Sequence, residues 1–483
     1  MLATLQRRYE RLYIGGTWAR PRGSEEIAVV NPTTEEPFAW VPAGSVDDAE
    51  SAAEAASAAL PIWSATSMKD RGEALNRIAD GMAERVEEIA SIVAQEVGTP
   101  IQRSLEWQAN QPVTVTRLYA EMALAYRLDR PLDNSLVVRD PVGVVACITP
   151  WNFPLHQMML KVAPALAAGC TVVVKPSGLA PLTAFILAEV VENAGLPAGV
   201  FNLVSGLGSS VGEALAASPR VDMVSLTGSA RAGKRVAALA SQSIKRFTLE
   251  LGGKSASLVL EDADLTDAVA NSVHNCYANG GQTCAAWTRL LIPRPLLGQA
   301  ETIAARTAEG YVLGDPLDPS TTMGPLVSAE QREVVRGFIA RGQDQGARLL
   351  TGGAERPAGL NRGYFVKPTV FSDVSRDNVI VQDEIFGPVL AMQPYDSVDE
   401  AVELANASIY GLSGAVWSAD ASRALSVARR LQTGQVFVNG AAFNYRAPFG
   451  GYKQSGIGRE FGEYGLEEFL QLKAIQLPLA SAG

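Results

Sequence analysis

The chain has 483 residues, of which 47% are hydrophobic and 19% are charged, and its 41 Lys and Arg against 51 Asp and Glu give a formal net charge of −10. This composition excludes a disordered chain, and the length predicts roughly two to four domains. The acidic balance argues against sequence-independent binding of nucleic acid, which needs a basic surface. With only two histidines, His156 and His274, no metal site is expected. These features indicate a soluble acidic enzyme.

The cysteines and the N-terminus predict a cytoplasmic location. Residues up to Arg7 and Arg8 contain no long apolar stretch, unlike a signal peptide. The longest uncharged run, 141–160, contains prolines and polar side chains that a membrane helix rarely tolerates. None of the four cysteines belongs to a CxxC pair, which predicts free thiols in a reducing compartment. They are Cys147, Cys170, Cys276 and Cys284.

In chain order, the first predicted elements are a hairpin and three helical stretches. Short apolar runs on either side of two glycines predict the hairpin over 12–18. Helical spacing of apolar residues predicts helices over 46–59, over 69–97 and over 113–126.

From residue 142, short β-branched runs alternate with apolar-periodic helices such as 155–168 and 182–193. This alternation predicts βαβ units and a largely parallel sheet with both faces covered. Ligands of such sheets bind beyond the carboxyl ends of the strands. The segments that follow each strand are therefore the candidate binding loops. The predicted strands cover 144–148, 171–174, 201–204, 223–226 and 247–249.

A second α/β region is predicted over 255–439. It contains a helix over 328–345 and strands over 364–371 and 389–393. A glycine-rich stretch follows, and the alternating apolar segment 469–479 is predicted to be an edge strand.

Cys284 is the candidate nucleophile. Gly280 and Gly281 precede it closely and let the backbone approach a ligand while leaving the thiol unobstructed. A buried packing role is the alternative, because cysteine often behaves as a small hydrophobe. A Cys–His dyad with His274, ten residues earlier, is possible but weakly supported.

Glu250 is the alternative base. It stands at a predicted strand end, where a desolvated carboxylate could take part in proton transfer. An ordinary ion pair with Lys254, four residues later, is the competing interpretation.

Two glycine motifs, 206–208 and 227–233, could place backbone N–H groups against a pyrophosphate. Each lacks the third glycine of the dinucleotide fingerprint, so plain strand-to-helix turns remain open.

Taken together, these segments resemble the NAD(P)-dependent aldehyde dehydrogenase superfamily, from Asn31 to Lys473. The resemblance rests on motifs in family order, which are Pro150-Trp151-Asn152-Phe153-Pro154, Lys175-Pro176-Ser177, Thr227-Gly228-Ser229, Glu250-Leu251-Gly252-Gly253-Lys254, Gly280-Gly281-Gln282-Thr283-Cys284, Glu384-Ile385-Phe386-Gly387-Pro388 and Pro448-Phe449-Gly450-Gly451.

The resemblance implies the catalytic roles. Cys284 would attack the aldehyde carbon to give a thiohemiacetal, and Asn152 with the backbone N–H of Cys284 would stabilise the oxyanion. Hydride transfer to the nicotinamide would leave a thioester, and Glu250 would activate Cys284 or the deacylating water. Glu384 would hold the nicotinamide ribose, with Phe386 packing beside it. The residues implied to bind NAD or NADP are Ile148, Pro150, Trp151, Lys175, Ser177, Gly208, Gly228, Ser229, Leu251, Glu384 and Phe386.

Gly178 departs from the family pattern. Many NAD-preferring relatives carry glutamate three residues after the lysine that corresponds to Lys175. Without that carboxylate, the chain loses a hydrogen bond to the ribose of NAD and a repulsion against the 2′-phosphate of NADP. We therefore expect dual cofactor use.

The substrate pocket implied by the resemblance is mainly apolar, which predicts an aliphatic or aromatic aldehyde. Leu160 replaces a tryptophan of some relatives and would widen the tunnel. Arg289 is interpreted as structural, whereas an inward Arg446 would favour an acidic substrate. The predicted pocket residues are Phe153, Gln157, Leu160, Phe443 and Phe449.

The fold implied is α/β, with a Rossmann-like NAD(P)-binding domain (1–125 and 142–252), an α/β catalytic domain (253–440) and a small β oligomerisation arm (126–141 and 460–483). The arm predicts a homodimer or homotetramer. Two other interpretations stay open. A CoA-acylating enzyme is disfavoured because such relatives usually lack the glutamate that matches Glu250. A non-catalytic structural or binding protein is disfavoured because Cys284, Asn152 and Glu250 are all present.

Overall fold

The structure is a computed structural model that describes residues 7–478. The start of the predicted first domain and the end of the predicted arm, 1–6 and 479–483, lie outside the described residues. The three domain boundaries given above stay a prediction.

An eight-stranded sheet forms the first half of the described chain. Its central strands pair in parallel and in register, with Val144 beside Thr171 and Met223 beside Val145. These strands are buried along their whole length, as their continuous β-branched sequences require. In spatial order the strands are Gly456–Ile457, Arg246–Glu250, Met223–Thr227, Val144–Ile148, Thr171–Lys175, Phe201–Leu203, Leu12–Ile14 and Thr17–Ala19. The predicted hairpin and the five predicted strands are therefore confirmed to within two residues.

Helices cover both faces of this sheet. The longer ones are Val46–Ala65, Met68–Ala83, Val86–Glu96, Gln111–Ala125, Pro154–Ala168, Leu182–Ala194 and Ala230–Ser241. Short helical segments are Ile101–Arg103, Ser104–Asn110, Gly208–Gly212 and Glu213–Ala217.

The prediction of a single helix over 69–97 is wrong, because the helix is interrupted at Glu84 and Arg85. Arg85 leaves the helical region (φ −115°, ψ 15°). Its guanidinium bonds Glu88 at 2.7 Å and Glu189 at 2.6 Å, which ties the second helix to a neighbour. Apolar residues continue at helical spacing on both sides of the break, so periodicity alone does not reveal it.

A seven-stranded sheet forms the second half. In spatial order its strands are Arg348–Thr351, Thr369–Ser372, Val389–Tyr395, Arg289–Pro293, Ala256–Val259, Gly414–Trp417 and Phe437–Val438. The helical segments of this half are Leu265–Cys276, Ala278–Gly281, Arg294–Leu296, Leu297–Glu309, Ala329–Asp344, Val379–Gln382, Val398–Asn406, Ala421–Ala428 and Gly462–Glu467.

The strand predicted over 364–371 is shorter than expected. Only Thr369–Ser372 pairs with the sheet. The preceding Pro368 has no N–H to donate, and Tyr364 bonds instead to the carbonyl of Pro32 and the N–H of Leu326. These contacts with loops take the place of ladder hydrogen bonds.

Three smaller sheets complete the described fold. The strands Asp129–Leu132, Ser135–Pro141 and Leu470–Gln476 form an antiparallel sheet, with Leu470 beside Pro141. The strands Arg7–Arg8, Glu36–Pro42 and Glu26–Asn31 form a mixed sheet, in which Arg7–Arg8 runs parallel to the central strand. Tyr410–Gly411 pairs antiparallel with Tyr452–Lys453. The edge strand predicted over 469–479 is thus observed, although residue 479 lies outside the described part. Within residues 7–478, no helix is both long and apolar enough to cross a membrane.

Candidate active site

The loop that carries Cys284 has an unusual backbone. After the helix Leu265–Cys276, Asn279, Gly280 and Gly281 all have positive φ, at 54°, 66° and 74°. A Cβ atom on Gly281 would stand 2.2 Å from the carbonyl of Gly387, so only glycine lets this loop approach the neighbouring segment. The glycines before Cys284 therefore fix where the thiol lies.

Side chains hold the same loop from two sides. Gln282 accepts from the N–H of Val327 at 2.9 Å and donates to the carbonyl of Asn279 at 3.1 Å. Asn279 in turn accepts from the Thr99 hydroxyl at 2.6 Å. Both polar side chains are buried, so each bond is shielded from water. The loop is positioned by contacts with both halves of the fold.

Asn152 lies at the start of the helix Pro154–Ala168 and contacts this loop. Its amide nitrogen donates to the carbonyl of Gln282 at 2.9 Å, and its backbone carbonyl accepts from Asn279 at 2.9 Å and Gln108 at 2.9 Å. An amide nitrogen has two hydrogens, so a second one stays available for an oxygen beside Cys284.

Glu250 ends a central strand and lies in a desolvated position. Among the described residues, neither of its carboxylate oxygens has a hydrogen-bond partner, and Lys254 makes no ion pair with it. Burial raises the pKa of Glu250 well above its usual value, and the nearby Glu460 carboxylate raises it further. The predicted ion pair between Glu250 and Lys254 is therefore wrong, because Lys254 lines a different cavity from the one that Glu250 lines.

A buried ion pair stands beside Glu250. Lys161 donates to Glu460 at 2.5 Å and to the Thr227 hydroxyl at 2.6 Å, and both charged side chains are almost fully buried. Thr227 also bonds Gln157 at 3.3 Å. Nothing in the sequence marks this pair, because its two members are 299 residues apart and neither lies in a catalytic motif.

Cys284 is the only half-buried cysteine of the four, since Cys147, Cys170 and Cys276 are fully buried. Burial raises the pKa of the Cys284 thiol, and the carboxylates of Glu250 and Glu384 raise it further. Both effects favour the neutral thiol over the thiolate. His274 bonds the Tyr311 hydroxyl at 2.9 Å, and no described hydrogen bond joins it to Cys284.

One cavity of about 250 Å³ brings most of these groups together. Besides Cys284, Asn152 and Glu250, it is lined by several of the predicted cofactor residues and by Gln157. Its lining residues are Pro150, Trp151, Asn152, Gln157, Thr227, Gly228, Ser229, Glu250, Leu251, Gly252, Cys284, Gln331, Val334, Glu384, Ile385 and Phe386. The sequence analysis did not name Gln331 or Val334.

Glu384 and two aromatic rings form the wall opposite Glu250. Glu384 accepts from the N–H of Gly253 at 3.1 Å, and burial raises its pKa to about 7. A Cβ atom on Gly252 would stand 2.0 Å from its other oxygen, so this glycine makes room for the carboxylate. The rings of Trp151 and Phe386 meet edge to face at 5.3 Å.

The remaining predicted cofactor residues lie in two groups. Ser229 caps the helix Ala230–Ser241 by accepting from the N–H of Ala232, so this helix N-terminus opens on the cavity. Lys175, Ile148 and the segment Gly208–Gly212 lie together, since a Cβ atom on Gly212 would touch both side chains. Burial lowers the pKa of Lys175 to about 8. Ser177 follows Lys175 and bonds the N–H of Leu179.

Four of the predicted pocket residues do not line the 250 Å³ cavity. Phe443 and Phe449 pack against Phe461 at 5.1 Å and 6.0 Å between ring centroids. Leu160 is fully buried in the same hydrophobic core, which Cys284 also contacts. Phe153 is half-buried at the N-terminus of its helix.

The two arginines considered for substrate binding, Arg289 and Arg446, differ in burial and in partners. Arg289 is buried and donates to the carbonyls of Lys254, Leu404 and Ala405, which confirms a structural role. Arg446 is exposed and forms an ion pair with Glu121 at 2.8 Å. It therefore points away from the catalytic cavity.

The chain is similar to known proteins along most of its length. Residues 18–475 match the model of the "Aldehyde dehydrogenase family". A 3-succinoylsemialdehyde-pyridine dehydrogenase of Pseudomonas is 46% identical over 470 residues, which are 97% of this chain and 98% of that protein.

Solved structures are equally similar. Aldehyde dehydrogenase C of Pseudomonas syringae, a Cys-to-Ala mutant in complex with NAD+ and octanal, has a TM-score of 0.96 at 46% identity, covering 97% of this chain and 96% of that one. A Mycobacterium tuberculosis aldehyde dehydrogenase complexed with NAD+ has a TM-score of 0.96 at 40% identity, covering 99% of both chains. The α/β fold expected from the motifs is thus confirmed, and the chain belongs to the aldehyde dehydrogenase family of oxidoreductases.

Proposed function

We propose that this enzyme oxidises an apolar aldehyde to the carboxylic acid through a covalent intermediate on Cys284. One observation carries the proposal: a single cavity holds the Cys284 thiol, the Asn152 amide and the Glu250 carboxyl. These are a nucleophile, an oxyanion donor and a base, which acyl transfer requires together. A structural protein would have no need of this combination.

In the first step, the sulfur of Cys284 attacks the aldehyde carbon, and its proton passes to a base. Glu250 would take it, because neither of its oxygens has a partner among the described residues. Glu384, the other carboxyl of this cavity, is engaged with the N–H of Gly253. Negative charge develops on the former carbonyl oxygen. The second amide hydrogen of Asn152 and the backbone N–H of Cys284 would stabilise that charge.

The cavity fits a nicotinamide dinucleotide. Gly252 leaves room for the buried Glu384, whose second oxygen can accept from a ribose hydroxyl, and the helix N-terminus at Ser229 suits a pyrophosphate. When bound, the nicotinamide supplies the hydride acceptor for oxidation of the thiohemiacetal. Glu384, Phe386 and Trp151 would orient the ring toward Cys284. Two relatives are solved with NAD+, which supports this use of the cavity.

Hydrolysis completes the reaction. Once Glu250 has released the thiol proton to solvent, water adds to the thioester carbon while Glu250 takes a proton from it. The carbon–sulfur bond then breaks, and the acid leaves as Glu250 returns that proton to the sulfur of Cys284. Burial raises the pKa of Glu250, which suits a group that must both accept and return a proton near neutral pH. The CoA-acylating alternative is not supported, since none of the relatives described above carries such a name and Glu250 is present.

We infer that NADP is tolerated beside NAD. A Cβ atom on Gly178 would contact only the side chain of Ile27, at 3.7 Å, so this position presents no carboxylate to a 2′-phosphate. Lys175 lies in the same region with a largely buried ammonium.

The substrate we propose is neutral and apolar. Phe443, Phe449 and Phe461 form an aromatic group in the hydrophobic core that Cys284 also contacts. Arg446 is engaged with Glu121. One relative is solved with octanal, and another is named for a pyridine semialdehyde. Both ligands fit an apolar tunnel better than a cationic one.

A homo-oligomer, dimer or tetramer, is proposed from the arm sheet. Leu472 is 72% exposed on the strand Leu470–Gln476, and Ile475 and Leu477 are exposed nearby. Apolar side chains on a sheet edge favour pairing with a second copy. Light scattering should give more than one chain per particle, and Leu472→Glu should lower the particle mass.

The free cysteines further support a cytoplasmic location.

The test of the catalytic role uses two cysteines. Cys284→Ala should abolish formation of reduced nicotinamide from octanal while leaving dinucleotide binding nearly unchanged. Cys170→Ala, at a fully buried cysteine outside the cavity, should retain turnover. Sustained turnover by Cys284→Ala would refute the proposed nucleophile.

A further inference from the structure

A second small cavity lies behind the end of the strand that carries Glu250. It has a volume of about 20 Å³ and, among the described residues, shares none of its lining with the catalytic cavity. Arg289 and the segments 254–256, 405–406, 410–414 and 431–433 enclose it. One water needs roughly 10–15 Å³, so this space suits a single small occupant and excludes phosphate or a carboxylic acid.

Four hydrogen-bond donors around this cavity have no partner among the described residues. They are the ammonium of Lys254 and the hydroxyls of Ser255, Ser413 and Thr433. All four residues line the cavity, and the four polar atoms are fully shielded from solvent. A buried donor without a partner is unfavourable, because nothing compensates the loss of its hydrogen bonds to water. Because all four residues line the same cavity, one acceptor placed in it would serve them together.

The charge around the cavity is positive. Lys254 is 2% exposed and Arg289 is 3% exposed. Arg289 donates to three backbone carbonyls, and within residues 7–478 neither side chain forms an ion pair with a carboxylate. Lys453 adds a third cation nearby, bonded to the carbonyls of Asn406 and Ser408.

The carboxylates that face Lys254 act from a distance. Glu384 and Asp383 both favour its charged form, but burial and Arg289 outweigh them and lower the pKa of Lys254 to about 7. Glu384 is itself engaged with the N–H of Gly253. An uncompensated buried ammonium is unfavourable unless a charge of opposite sign pairs with it.

We propose that this cavity binds one small monovalent anion, such as chloride, between the Lys254 ammonium and the hydroxyls of Ser255, Ser413 and Thr433. Water could accept some of these hydrogen bonds, but it would leave the positive charge of Lys254 and Arg289 uncompensated. A halide accepts from all four donors and supplies the missing charge. This site is independent of the proposed roles of Cys284 and Glu250.

Bromide, which scatters anomalously and replaces chloride, provides the direct test. Crystals of the full-length enzyme grown in sodium bromide should show one anomalous peak in the cavity, next to the nitrogen of Lys254. The same crystals of Lys254→Met should lack that peak. Ordered water without an anomalous signal in the wild-type cavity would overturn the proposal, as would a peak that persists in Lys254→Met.

A solution measurement covers the case in which Lys254→Met does not fold. When chloride replaces gluconate at constant ionic strength, Tm should rise by about 1–2 °C, because chloride binds only the folded state. Thr433→Val keeps the ammonium but removes one donor, so this increase should shrink. Lys69→Met, at an exposed surface lysine, should keep the full increase. An equal increase in wild type and Thr433→Val would contradict the assignment.

Discussion

The side chain of Asn152 has two amide hydrogens, and one of them is donated to the carbonyl of Gln282. If the other stabilises the oxyanion, Asn152→Ala should lower kcat by about 10²–10³. Dinucleotide affinity, measured by fluorescence titration, should change little. Asn110→Ala, at an exposed amide that bonds only its own helix, serves as the matched control. A normal kcat in Asn152→Ala would place the oxyanion donor elsewhere.

Gly178 provides the test of cofactor choice at a single position. Gly178→Glu should lower kcat/KM for NADP about tenfold relative to NAD, because a carboxylate there would repel the 2′-phosphate. The comparison needs both dinucleotides with the same aldehyde. Gly298→Glu adds the same charge at an exposed position of the helix Leu297–Glu309, which does not line the catalytic cavity and where a Cβ atom meets no neighbour, and should leave the ratio unchanged. An unchanged ratio in Gly178→Glu would contradict dual use through this residue.

At the scale of elements, the Cys284 loop depends on how closely it approaches the 384–388 segment. Gly280 and Gly281 have similar positive φ values, 66° and 74°, so alanine strains the backbone equally at both. Only at Gly281 would the new Cβ atom also collide with backbone, at 2.2 Å. Gly281→Ala should therefore lose far more activity and about 1–3 kcal/mol more stability than Gly280→Ala. Equal losses in the two variants would show that the close approach is unimportant.

The Lys161–Glu460 pair joins the helix Pro154–Ala168 to the C-terminal part of the chain. Because both side chains are buried, Lys161→Met should cost about 3–5 kcal/mol of unfolding free energy, measured with denaturant. Lys69→Met breaks only an exposed pair with Glu73 and should cost about 0–1 kcal/mol. Adding Glu460→Gln to Lys161→Met should restore part of the loss. If the double variant is no more stable than Lys161→Met, the two charges are not coupled.

The elements also show how far the sequence alone could lead. Strands such as Val144–Ile148 were predicted because buried parallel strands have continuous β-branched sequences. The break at Arg85 was missed because apolar residues continue at helical spacing on both sides of it, and the bond between Arg85 and Glu189, 104 residues away, is not visible in the local sequence. The catalytic residues lie in local motifs that a single sequence displays. Lys161–Glu460 and the cavity at Lys254 arise only when distant segments pack together.

At the scale of the whole molecule, the catalytic cavity is assembled from both large sheets. Glu250 and Thr227 end strands of the eight-stranded sheet, whereas the Cys284 loop and the Glu384 segment belong to the second half of the chain. This arrangement follows the rule that ligands of parallel sheets bind beyond the carboxyl ends of strands. The motifs already imply that residues of both halves share one site, but the packing that brings the two halves together appears only in the fold.

The central claim is that water resolves a thioester on Cys284 with the help of Glu250. The direct measurement is the time course of reduced nicotinamide from octanal and NAD, without CoA, for wild type and Glu250→Gln. We predict sustained turnover in wild type and, in Glu250→Gln, at most one equivalent per active site before the rate falls, because an amide at this position could not take the proton of water. A wild-type reaction that stops after one equivalent would contradict the account.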